Sequence, residues 1–394
     1  MKRTIRGRHT GLLSVFVFAA FMLAGCGGGG TDTAGAAKSG YAFGRISGFG
    51  SVVVNGVHYD ESIAAIQDED EQSYDGSELR LGMMAEIESR DHDESSGTPK
   101  ATARKIRLIS LMRGPVDGIS AGSIAVLGQT VAVTATTVFG ESFTGGLSAI
   151  TPGSLVKVYG TLDTASGAYA ATRIEAAAGA DPYKLRGVVT AYDSSLKTLN
   201  IGTAIIDLSG VAVPADLVVG GVVRVKLQTT QANGMWVATH LKTIHFRPDD
   251  NDHTEVEGTI SEFTSATSFS VDGLPVDASN AKFEDGSAGL ASGVRVEVEG
   301  ALVNGVLIAT QVEIKSQESD DHEGFEVDGL VTAIDSEAGT FVVRGVTIAL
   351  SQATMFVGGV VADLRIDARV EVHGSLAADG VTLSASRIEF ETGH

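Results

Sequence analysis

Gly293-Val294-Arg295-Val296-Glu297-Val298-Glu299 reads as a turn glycine followed by a strand with one apolar and one charged face. The same arrangement opens at Gly82, Gly153, Gly220 and Asp367. In each copy the inward residues fall three and five positions later: Ala85 and Ile87, Val156 and Val158, Val223 and Val225, Val296 and Val298, Val370 and Val372. Aspartate at 367 is one of the few residues that tolerate a left-handed turn. Between the apolar positions stand Lys157, Arg224, Lys226, Arg295, Glu297, Glu299 and Glu371, which predict a wet face on each strand.

Other landmarks recur around this one. A glycine and a short apolar strand open each unit at Gly44, Gly114, Gly187, Gly258 and Gly329, at intervals of 70, 73, 71 and 71 residues. An alternating apolar strand with a turn glycine follows, as in Val52 to Val57 and Phe341 to Ile348, and then an apolar or aromatic residue at Ile66, Phe139, Val213, Phe283 or Phe356. Units close on Ala103 to Ile106, Ala171 to Ile174, Ala238 to Leu241, Ala309 to Val312 and Ala385 to Ile388. Turn glycines at 167, 234, 305 and 380 make the last two strands a hairpin, which the first unit stretches over Arg90 to Lys100.

Short strands, glycine turns and no long helical pattern predict an all-β chain of five tandem small OB-like β-barrel domains of about 70 residues. The expected boundaries are 41–110, 111–180, 181–248, 254–316 and 324–392. A single elongated β-structure whose units share sheet edges is the alternative.

Lys2, Arg3, Arg6 and Arg8 precede an apolar run from Leu12 to Met22, the pattern of a secretory signal too short to span a bilayer. Leu23-Ala24-Gly25-Cys26 resembles a bacterial lipobox, and Cys26 is the only cysteine. The resemblance implies that residues 1–25 are removed as a signal peptide and that Cys26 carries lipid. Residues 26–40 then form a flexible Gly-rich tether, and the membrane is a partner through that lipid. Gly27, not aspartate, follows Cys26, which by resemblance to Gram-negative sorting points to the outer membrane, on a face left open.

Taking the leader's four basic residues from the total of 29 leaves 25 Lys plus Arg against 49 Asp plus Glu, a formal charge of about −24. Such a surface disfavours nucleic acid and anionic headgroups. The repeats, the lipobox and the Gly and Val landmarks together resemble a family of bacterial lipoproteins carrying tandem copies of a β-rich domain of unknown function. That resemblance implies a fold and supplies no catalytic residues.

Candidate chemistry is sparse. Three runs join carboxylates to histidine: Asp91 to Glu94, Asp249 to His253 and Asp320 to Glu323. They read as solvated acidic segments, the last two as exposed joints too polar for strands, with calcium that stiffens the joints as the other reading. One histidine per run argues against a transition-metal site. His58, His240, His245 and His373 fall on strands of different units and read as exposed strand residues, and no Gly-x-Ser-x-Gly elbow or phosphate-cradling loop occurs. Trp236, after a hairpin turn, reads as half-exposed. The expectation is a non-enzymatic envelope lipoprotein without catalytic, cofactor or metal residues, a binding or scaffold module for an envelope protein or polysaccharide. A carbohydrate or small-ligand binding protein is the alternative.

Overall fold

The computed structural model describes residues 39–93, 98–179, 181–244, 250–284, 286–315 and 324–391. The signal segment, Cys26, His245, Asp249 and the Asp320 to Glu323 run lie outside them. The chain is all-β, and no helix among the described residues is long and apolar enough to cross a membrane.

In repeat 2 the strands are Met112–Ser120, Ser123–Val126, Gln129–Phe139, Leu155–Leu162 and Tyr169–Ala176. The first three form an antiparallel meander, and the fifth lies parallel to the third. The fourth pairs antiparallel with both the fifth and the first, closing a five-stranded barrel of order 1-2-3-5-4-1. The same cycle of pairings recurs in repeat 1, repeat 3, repeat 4 and repeat 5.

The opening landmark of the sequence has a single geometric cause. Gly82, Gly153, Gly220, Gly293 and Asp367 all have left-handed φ, between 67° and 89°. Each donates its backbone N–H to a first-strand carbonyl, of Ile46, Val116, Val189, Ile260 and Val331 respectively, at 2.8–2.9 Å. The turn thereby fixes the register of the fourth strand, and every inward residue predicted there is at 0% exposure. Hairpins such as Asn55-Gly56 and Asp272-Gly273, with positive φ at both positions, join the second strand to the third.

The repeats do not stand apart as modules in a row. Gly40 to Phe43 of repeat 1 run parallel to His253 to Val256 of repeat 4, and Gly48 and Phe49 run parallel to Glu326 and Val327 of repeat 5. Met112 and Arg113 of repeat 2 pair with Leu185 and Lys184 of repeat 3. The cores of repeats 1 and 5 merge, as do those of repeats 2 and 3. Closed rings and shared edges, alternatives in the sequence, coexist.

This packing overturns two expectations. The charged faces are not uniformly wet: Arg224 and Lys226 of repeat 3 bind Asp70 of repeat 1 at 3.1 and 2.9 Å, and Arg295 pairs with buried Glu257. Nor is the segment up to His253 an exposed joint. Asn251–Ser265 is one strand, because repeat 1 supplies a parallel neighbour that satisfies its polar opening residues. Asp250 accepts the N–H groups of Asn304 and Gly305. His253 is buried and stacks on His92, with ring centroids 3.6 Å apart.

Candidate functional site

The junction of repeats 1, 4 and 5 forms a polar cavity of about 660 Å³ that is open to solvent on one side. Repeat 1 contributes Ser47, Asn55 and His58, repeat 4 contributes Glu297, Glu313 and Lys315, and repeat 5 contributes Glu326, His373, Ser375 and Ser386.

Gly48 makes the junction possible. A Cβ there would lie 2.8 Å from the carbonyl oxygen of Glu326 and 2.9 Å from Cγ2 of Val53, so only glycine lets the first strand of repeat 5 approach this closely. Gly48→Val is expected to lower stability by about 1–3 kcal/mol through this overpacking. Gly118→Val, where a Cβ meets nothing within 4 Å, is the control, read from denaturant midpoints.

On the repeat 5 wall, strand register sets Glu326 directly opposite His373. Glu371 lies two residues before His373, on the same strand face, and its Oε1 is 2.6 Å from His373 Nε2. Across the junction, His58 Nε2 is 3.6 Å from Glu326 Oε2, while its Nδ1 meets Ser51 Oγ at 3.2 Å. Burial, aided by the negative charges of Glu371 and Asp328, lifts the Glu326 carboxyl above its usual range against the pull of His58 and His373.

The repeat 4 wall is balanced differently. Lys315 Nζ lies 3.1 Å from both Glu297 and Glu313. Glu255 is buried beside Glu297, within hydrogen-bonding reach of it. Desolvation first, then the charges of Glu299 and Glu257, push Glu255 up to about 8 despite that bond and Lys315. Burial and Glu255 hold Glu297 well above the carboxylate range as well.

The expectation that His58 and His373 are unrelated exposed strand residues is therefore corrected. They share one cavity because the first strands of repeats 1 and 5 pair, a contact between positions far apart in sequence. His240 is exposed as expected. Trp236 is not half-exposed: it is 9% exposed and meets Tyr183 edge-on at 5.7 Å. The indole joins the apolar core shared by repeats 2 and 3. Glu326 carried no sequence signal; the landmark pattern marks its strand without distinguishing its outward residues.

The closed rings define a tandem β-barrel protein. Three segments, residues 113–175, 257–313 and 328–389, match the family model described as Domain of unknown function (DUF5666). These segments fall in repeats 2, 4 and 5, which are tandem copies of that domain. No curated protein matches the chain.

Proposed function

We propose that the chain is a non-enzymatic protein of the bacterial cell envelope, held at the outer membrane by lipid on Cys26, and that its five OB-like barrels act as one binding body for an envelope protein. The strand order 1-2-3-5-4-1 supports the OB-like reading of the repeats. The leader, the lipobox-like tetrapeptide and Cys26 support the address.

The observation that carries a protein partner is a pair of apolar loops. Val218 and Val219 of repeat 3, and Val360, Val361 and Ile366 of repeat 5, occupy the same connection between third and fourth strands and are each more than half exposed. In repeat 1 the same connection is spent on an internal contact, because Glu69 and Asp70 dock on repeat 3. Apolar side chains left outside an acidic surface suit a protein partner better than a nucleic acid or a polysaccharide. Repeat 3 is tied to repeat 1 by the ion pairs of Glu69 and Asp70, and repeat 5 is tied to repeat 1 by strand pairing, so one chain presents both loops and gains avidity without new contacts.

The test is in-cell photo-crosslinking with probes at positions 218 and 361. One protein recurring at both positions is the expected result. Crosslinks confined to abundant neighbours, or different sets at the two positions, overturn the proposal.

A further inference from the structure

The geometry points to a divalent transition-metal site, of the zinc class, formed by His58 of repeat 1 with Glu326, Glu371 and His373 of repeat 5. The ligand atoms of Glu326, Glu371 and His373 lie within 4.8 Å of one another, and His58 Nε2 stands 3.6 Å from the Glu326 carboxylate. A four-coordinate zinc with bonds near 2.1 Å needs its ligand atoms about 3.4 Å apart, so Glu326, Glu371 and His373 supply the close triad and His58, beside Glu326, swings in as the fourth ligand.

Three features separate this set from ordinary surface ion pairs. First, the four groups come from three strands in two repeats, converging through the Gly48–Glu326 backbone pairing and not through flexible side chains alone. Second, Ser51 Oγ occupies His58 Nδ1 and leaves Nε2 facing Glu326, the second-sphere arrangement that orients a metal-binding imidazole. Third, two carboxylates and two neutral imidazoles supply two negative charges at close range, which matches a divalent cation, and the mixed nitrogen and oxygen donors suit zinc better than calcium or magnesium. The neighbouring repeat 4 carboxylates, Glu297 and Glu313, already share Lys315 and are not part of the set. The shell faces the cavity, with Ser375 and Ser386 nearby and room for a water molecule. Because His58 belongs to repeat 1 and the other ligands to repeat 5, a bound ion would staple the two repeats together.

The test uses the full chain, stripped with chelator, titrated calorimetrically with Zn²⁺ and spectroscopically with Co²⁺. One ion per chain is expected, with the intense visible bands of four-coordinate cobalt and a zinc-dependent rise in melting temperature. His58→Gln and Glu326→Gln should each weaken zinc by at least about tenfold, and Ser51→Ala by about tenfold through the loosened imidazole. His240→Gln, on an exposed strand face, should leave affinity unchanged. Circular dichroism in chelator establishes that each variant is folded; Glu371→Gln, at the rim of the set, serves where His58→Gln is not. Absence of the four-coordinate cobalt spectrum, or affinity unchanged in every folded ligand variant, overturns the assignment.

Discussion

Glu69→Ala is expected to lower the stability of the chain by about 3–5 kcal/mol, because it strips the counter-charge from a buried basic pocket. The Glu69 side chain is 6% exposed. It is hydrogen-bonded to Arg186 and lies 3.7 Å from Lys184 and 3.8 Å from Arg224. Asp70 beside it reaches Lys184 at 3.4 Å as well as Arg224 and Lys226. Burial raises the Glu69 pKa, yet Arg186, Lys184 and Arg224 outweigh it and hold the carboxyl below its usual range. Without Glu69, four cations of repeat 3 would face Asp70 alone. Glu69→Gln keeps the volume and removes only the charge, so a similar loss there assigns the effect to electrostatics. Arg387→Ala, which breaks an exposed pair with Glu389, is the comparison and should cost less than about 1 kcal/mol. Denaturant midpoints of the full chain decide the matter. A Glu69→Ala midpoint equal to that of Arg387→Ala would mean that repeats 1 and 3 do not dock through this pocket.

The contrast between Glu69 and Val156 explains what the sequence could and could not disclose. Val156 was legible because its burial follows from a period of two within one strand and a turn glycine three residues before it. The same local logic placed all ten inward positions of the fourth strands and the left-handed Asp367. Glu69 lies in a connection with no periodicity, and its partners are in another repeat. The fate of an outward face depends on what packs against it, and strand alternation is silent on that. Arg224 and Glu297 therefore looked wet, although one meets Glu69 and the other lines a cavity against repeat 5. The histidines failed for the same reason: His58 and His373 are separated by most of the chain, and their convergence hangs on Gly48, which none of the recurring landmarks singles out. Trp236 misled differently, since a hairpin position predicts exposure only when the hairpin is not wrapped into a barrel.

Between pH 5 and pH 9 the wild-type chain is expected to lose about 2–4 kcal/mol that Glu255→Gln retains. Glu255 is buried against repeat 1, where Tyr59 feels its charge and that of Glu297. Facing it are Glu257 and His253 on its own strand, Glu297 and Glu299 on the fourth strand of repeat 4, and Lys315 beyond the fifth. Its folded pKa near 8 stands above the ordinary 4.5 of an unfolded glutamate, so the native state holds a proton that the unfolded chain releases. Stability from this group is therefore complete below about pH 4.5 and is lost as the pH rises towards 8, the reverse of a salt-bridged carboxylate. Glutamine resembles the protonated acid and donates to Glu297 at every pH. Midpoints measured in chelator should thus nearly coincide for the two proteins near pH 5, separate progressively as the pH rises to about 8 and keep that separation above it, with the variant more stable. A difference that stays constant across the range would show that Glu255 does not carry the extra proton.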